Sequence, residues 1–226
     1  ALGWETVNTV KTPLASTDFS SYIAPVINAG ADVLVLNHYG GNMVNSLTNA
    51  IQFGMLDKQV NGKDFKIVVP LYSELMAAGA GDNIKGVLGS MNYNWQLDNE
   101  GSKTFVKSFG EKYGRPPSNS AQTCYAQVLL YADACERAGT FNPCGVVEAR
   151  EGFEFDGLGN GPTTYRKEDH QCFKDVLVVR GAQNPTTKFD TLEIVEITPV
   201  SQVTYPPNHP MFGGDEATLG KCNPGV

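Results

Sequence analysis

The chain has 226 residues, 41% of them hydrophobic, and 17 Lys and Arg against 24 Asp and Glu give a net charge of −7. Length and apolar content of this order support one large or two modest domains with a real core and exclude a disordered chain. The negative balance disfavours attraction to phosphate backbones and anionic lipid, so nucleic acid is not an expected partner.

No apolar run reaches the roughly 18 residues of a membrane-spanning helix. The opening ALGWETVNTV lacks the basic and apolar segments of a signal peptide, so any export signal would belong to a precursor. The chain then alternates short apolar runs with amphipathic stretches. ETVNTVKTPL reads as a strand. Thr17 is a candidate cap for a helix whose residues Phe19, Tyr22, Ile23, Val26 and Ile27 follow an i, i+3, i+4 stripe, with a kink expected at Pro25 and an end at Ala29-Gly30. ADVLVLN has the continuous apolar character of a parallel strand buried on both faces. GGNMVNSLTNAIQFGM follows as a helix, with Val44, Leu47 and Ile51 expected inward and Gly54 as its stop. FKIVVP is a second buried strand, YSELMAAGA a short helix and GVLGSM a third strand. Strands joined by helical crossovers imply a parallel sheet with helices on both faces, wound right-handed.

The pattern then changes. NEGSKTFVKSFGEKYGRPP is an amphipathic helix stopped by Gly and Pro; NSAQTCYAQVLLYADACERAG is a second helix, apolar nearly all round and so expected between other elements. Residues 153–181 read as strand, turn and strand, with DGLGNGP as the turn and Val176, Val178 and Arg180 alternating with Leu177 and Val179. The last stretch, 181–226, reads as an extended tail.

Signals for chemistry are sparse. The five cysteines never form C-x-x-C, which argues for structural disulfides over a zinc ribbon or redox motif. Cys135, in the last turn of one helix, and Cys144, near the start of the next, are the candidate pair, and the odd count leaves at least one thiol free or paired outside the chain. His38, His170 and His209 are far apart and form no H-x-x-x-H pair, so no metal or other cofactor is expected. Asp169 and His170 are sequence neighbours, which point to opposite sides of an extended segment, so a base with its orienter needs a tight turn. Cys172 lies two residues past His170, and together they carry the alternative of an α/β hydrolytic enzyme. Ligands of open α/β sheets bind beyond the C-terminal strand ends. Asn37, His38 and Tyr39 leave one buried strand there; Leu71, Tyr72 and Ser73 leave the next, with Tyr93 and Trp95 beyond the third. Aromatic faces with a few amides and hydroxyls suit a small, partly apolar solute.

Three stretches, PLASTDFSSYIAPVINAGADVLVL, FGEKYGRPPSNSAQTCYAQVLLYADACERAGT and GPTTYRKEDHQCFKDVLVVR, together resemble the type I periplasmic solute-binding proteins of ABC transporters, in the branched-chain amino acid and amide group. The resemblance runs from about Trp4 to Arg180. It implies an α/β fold of two Rossmann-like lobes joined by three strands, closing on a ligand as a hinge, with no catalysis. Residues 1–95 would form the second lobe, 96–164 a segment of the first, 165–180 a return to the second, and 181–226 the tail. Ala1 would then be internal to a longer protein, and the missing N-terminal part of that protein would complete the cleft. Asn37, His38, Tyr39, Leu71, Tyr72, Ser73 and Tyr93 would line it; Trp95, Asp169, His170 and Gln171 would act at the hinge. Tyr39 matches a ligand-touching tyrosine of members that bind leucine-like amino acids. Where those members place a glutamate against the ligand's ammonium this chain has Leu71, which points to a carboxylate, amide or aromatic acid unless Glu74 or the absent lobe supplies the charge. The expectation is a periplasmic or otherwise exported receptor for a small organic solute (amino acid, amide, or aromatic or aliphatic carboxylate), partnered by a membrane permease. The alternative from the same lobes is the ligand-sensing ectodomain of a receptor.

Overall fold

The apolar runs become strands where they find neighbours. In the computed structural model, which describes residues 3–212 and 222, the chain divides into two units: Ala1–Met91 with Val178–Glu196, and Asn92–Leu177 with Ile197–Val226.

The first unit begins with α1 (Ser20–Asn28), β1 (Val33–Val35) and α2 (Gly41–Gln52), followed by a small hairpin of β2 (Gln59–Val60) and β3 (Lys63–Asp64). Then come β4 (Lys66–Val69), α3 (Glu74–Ala80) and β5 (Leu88–Met91). β1 pairs parallel with β4, Leu34 opposite Ile67, and β4 pairs parallel with β5, Val68 opposite Leu88. With β9 (Val176–Gly181) and β10 (Leu192–Thr198) the sheet order is β1-β4-β5-β9-β10. Ile67, Val69, Val179 and Leu192 fill its core, each fully buried apolar side chain contributing about 1.5–3 kcal/mol. On β9 Leu177 and Val179 are buried while Val176, Val178 and Arg180 are not, the alternation read from the sequence.

Several expectations change here. ETVNTVKTPL joins no ladder among the described residues, and Val7, Val10 and Leu14 are exposed. An alternating pattern makes a strand only where a partner edge offers hydrogen bonds. Instead of Thr17, Asp18 stands at the start of α1, its carboxylate accepting from the Ser20 N–H at 2.9 Å. β1, expected to be buried on both faces, lies at the sheet's edge; Val33 and Leu34 are half-buried and Val35 is exposed. The face α2 buries is Met43, Ser46, Leu47 and Ala50 rather than Val44, Leu47 and Ile51. Leu47 belongs to both stripes, and the polar Ser46 disguised the true one because its hydroxyl is satisfied inside the fold.

The second unit holds α4 (Glu100–Tyr113), α5 (Asn119–Ala138) and α6 (Pro143–Arg150), then an antiparallel sheet of β6 (Glu154–Phe155), β7 (Thr163–Tyr165) and β8 (Cys172–Phe173), and later α7 (Val200–Val203). Asn99, Ser118 and Asn142 cap α4, α5 and α6 by accepting from backbone N–H groups in the first turn. Phe105 of α4 stacks on Tyr125 of α5 at 4.4 Å and meets the Tyr93 ring at 6.5 Å. α5 is not buried all round. It hides Gln122, Ala126, Leu130, Ala134 and Cys135 and leaves Tyr125, Val128, Leu129 and Tyr131 exposed. The segment read as one strand, turn and strand holds a second hairpin, because Arg166–Gln171 turns the chain once more. The 181–226 stretch, read as an extended tail, contains β10 and α7.

The disulfide joins Cys144 to Cys222, not to Cys135, with Cα atoms 5.5 Å apart. Cys135 is a buried thiol packed with Ala134 and Val146 where α5 meets α6. Sequence proximity favoured it, but that apolar contact uses its side chain.

Gly89 is demanded by packing. A Cβ there would come within 2.5 Å of both Tyr72 Cδ1 and the Val69 carbonyl oxygen. We expect Gly89→Ala to lower unfolding stability by about 1–3 kcal/mol, the usual cost of overpacking a core. Urea titration of parent and variant measures it, and an unchanged midpoint would contradict this packing.

Candidate functional site at the parallel strand ends

The ends of β1 and β4 place two loops side by side in the first unit. Asn37, His38 and Tyr39 follow β1; Leu71, Tyr72 and Ser73 follow β4. Within these loops the side chains divide into a framework and a face.

His38 belongs to the framework. Its ring packs on Phe19 at 4.8 Å; Nδ1 lies 2.8 Å from Ser46 Oγ and Nε2 lies 3.0 Å from Thr12 Oγ1. Ser46 Oγ donates its one hydrogen to the Met43 carbonyl, so it accepts from Nδ1–H and leaves Nε2 to accept from Thr12. Burial holds the imidazole below its ordinary pKa, in keeping with this neutral tautomer. Ser73 caps α3, accepting from the Met76 N–H at 3.2 Å. Tyr72 is only 2% exposed and lies across Gly89, its hydroxyl buried and its pKa pushed up by that burial. What remains on the surface is Asn37, Tyr39 at 60% exposure and Leu71 at 69%.

Tyr93 lies in the second unit. It is fully buried, and its hydroxyl is 2.9 Å from Ser102 Oγ. Trp95, two residues on, is half-buried. Asp169, His170 and Gln171 form the turn between β7 and β8. Arg166 grips Asp169 through two bonds, Nε to Oδ1 at 2.8 Å and Nη2 to Oδ2 at 2.5 Å. Oδ1 also accepts from the Gln171 N–H, and the Arg166 N–H donates to the Gln171 carbonyl. His170 turns the corner at a φ of 56° and sets Nε2 3.0 Å from Glu151. The Asp169–His170 adjacency thus marks a stiff turn. Among the described residues no hydrogen bond joins His170 to Cys172, and burial pushes the Cys172 thiol up rather than down, opposite to an activated nucleophile.

Sequence reasoning missed the partners that make these placements: Thr12 and Ser46 around His38, and Glu151 against His170. They lie 26, 8 and 19 residues away from the groups they hold, beyond any local pattern. Arg166 was in view, three residues before Asp169.

The comparisons with known proteins bear on the family and the fold. Residues 1–185 match the family model described as periplasmic binding protein. The chain belongs to the periplasmic binding protein family, whose fold is the mixed α/β, parallel-sheet type I architecture seen here. Similar solved structures include an amino acid ABC transporter substrate-binding protein from Pseudomonas fluorescens (25% identity, TM-score 0.77, 91% of this chain and 53% of that one). The leucine-, isoleucine-, valine-, threonine- and alanine-binding protein from Brucella ovis, in a closed conformation, aligns at 19% identity and TM-score 0.73, covering 90% of this chain and 53% of that one. A solute-binding protein of an ABC transporter from Rhodopseudomonas palustris, in complex with 3,4-dihydroxybenzoic acid, aligns at 19% and 0.69, covering 84% and 51%. The chain spans about half the length of these structures. No curated protein matches it.

The Arg166 clamp depresses the Asp169 carboxyl pKa, chiefly through the hydrogen bonds. A depressed folded value means the clamp's contribution is present above the unfolded carboxylate value near about 4 and lost as pH falls through the lower folded one. We expect Asp169→Asn to cost about 1.5–3 kcal/mol at pH 7, as for hydrogen bonds to charged groups, and less as pH falls below 4. Chemical denaturation at both pH values reads the difference, and an equal loss at both would contradict the clamp.

Proposed function

We propose that this chain forms solute-gripping machinery of an ABC-importer receptor in the periplasm, and that Asn37, Tyr39 and Leu71 form part of the surface that meets the solute. The observation that carries this is the exposed pair Tyr39 and Leu71 at neighbouring parallel strand ends, held in place by a buried framework. The crevice beyond such ends is where open α/β sheets bind ligands. An exposed tyrosine ring and an aliphatic side chain beside an amide suit a small, partly apolar organic solute. None of the three carries a charge, so this surface suits the uncharged part of a solute; with Leu71 where the ammonium-binding members place a glutamate, a carboxylate, amide or aromatic acid whose charge is met elsewhere is the proposed class. Of the similar proteins, one is named for leucine, isoleucine, valine, threonine and alanine and another was crystallised with 3,4-dihydroxybenzoic acid; the second is the kind of solute this surface favours.

Closure by a hinge belongs to the same reading. The chain passes between its two units three times, after Met91, after Leu177 and after Glu196. Trp95 lies four residues past the first passage and the Asp169–Gln171 turn precedes the second by the length of β8 and the residues up to Leu177, and we assign both to the hinge. A membrane permease would be the receptor's partner, and the role asks for no catalytic step.

Thermal unfolding of the product of the complete reading frame, screened against branched-chain amino acids, aliphatic amides and hydroxybenzoates, tests this. A true ligand at a hundredfold excess over its Kd stabilises by about 2.7 kcal/mol. Tyr39→Ala should leave the unliganded melting temperature unchanged and weaken binding about tenfold or more, about 1.4 kcal/mol. No shift with any class would overturn the proposal.

A further inference from the structure

Within the second unit a largely enclosed cavity of about 30 Å³ lies between α5, the glycine-rich loop 157–161 and β8. Ala126, Leu130, Phe155 and Leu158 give it apolar walls, and Gln122, Asn160 and Lys174 are its unsettled polar members.

The two amides are fixed in orientation by what their nitrogens do. Gln122 Nε2 donates to the Leu158 carbonyl, and Asn160 Nδ2 donates to the carbonyls of Asn92 and Asp175. Their oxygens are therefore turned away from those acceptors. Among the described residues Gln122 Oε1 and Asn160 Oδ1 are both buried without a hydrogen-bond partner, in residues only 3% and 6% exposed. Flipping either amide would set oxygen against carbonyl oxygen. Lys174 is half-buried, burial lowers its pKa, and among the described residues no carboxylate pairs with it. Other polar groups on the wall are engaged: Thr163 Oγ1 donates to the Gly161 carbonyl and Thr123 Oγ1 to that of Asn119.

We infer that this cavity is a built site for an ordered water molecule, which donates its two hydrogens to Gln122 Oε1 and Asn160 Oδ1 and accepts from the Lys174 ammonium. The space exceeds the roughly 10–15 Å³ of probe volume that one water needs, and three polar partners are the usual number for a buried water. Charge selects among small occupants. A monovalent cation would meet the lysine, and a chloride would meet two carbonyl-type oxygens; a neutral molecule with two donors and an acceptor satisfies all three groups. The site ties loop 157–161 to α5. That loop already approaches so closely that a Cβ on Gly159 would come within 2.7 Å of Gln122 Nε2.

A crystal structure of the wild-type protein with resolved solvent tests the inference. The expected result is one solvent molecule within about 2.7–3.2 Å of Gln122 Oε1, Asn160 Oδ1 and Lys174 Nζ. Lys174 bonded directly to both oxygens, an ion in the cavity, or a dry cavity would each overturn it. In solution, oxygen-17 relaxation dispersion should show one fewer long-lived water in Gln122→Met than in the parent, and equal amplitudes would count against the site. The crystallographic arm needs no variant and decides the matter if Gln122→Met fails to fold.

Discussion

Parallel pairing of β1 with β4, one register fixed over three residue pairs, is the constraint on which the candidate site rests. Both strands end on the same side of the sheet, so their following loops must emerge together. A slip of one residue would turn Leu36, now buried, outward and displace His38 from its place between Thr12 and Ser46. The framework resists that slip through separate bonds on each loop: the neutral imidazole braces the first, and the Ser73 cap with Tyr72 seated on Gly89 braces the second. Tyr39 and Leu71 are left outward because their neighbours are so fully used.

The second unit is organised differently. Its sheet strands are only two or three residues long, too short to hold themselves by ladder bonds. Arginines supply the missing order. Arg137 lies over Phe153 at 3.8 Å, Arg150 over Tyr165 at 4.2 Å and Arg166 over Phe173 at 4.8 Å. Each also donates to oxygen, Arg137 to Asp133 and the Ala149 carbonyl, Arg150 to Gln127, and Arg166 to Asp169. A guanidinium can serve a ring face and an acceptor at once because its donors lie in its own plane. Helices α5 and α6 are thus fastened to the small sheet by side chains that a hydropathy pattern counts only as polar.

Much of the fold was legible. Runs such as FKIVVP and GVLGSM became β4 and β5, and the two helices read from NEGSKTFVKSFGEKYGRPP and NSAQTCYAQVLLYADACERAG became α4 and α5. The errors share one physical origin. Val33–Val35 and ETVNTVKTPL carry strand-like residues, but whether such residues are buried depends on which neighbour lies beside them, and composition does not encode that. Ser46 looked like a surface residue because its partner, His38, sits on another element. The site was half legible for the same reason. Strand-end logic pointed to these two loops and could not tell Tyr39, which faces outward, from Tyr72, which faces the core.

One flank of α5 keeps Tyr125, Val128, Leu129 and Tyr131 exposed, Tyr125 while one face of its ring rests on Phe105. Any apolar surface that shields this flank from water gains about 25 cal/mol per Å² of area covered, so the helix carries a store of unspent hydrophobic energy on the side its own unit does not use.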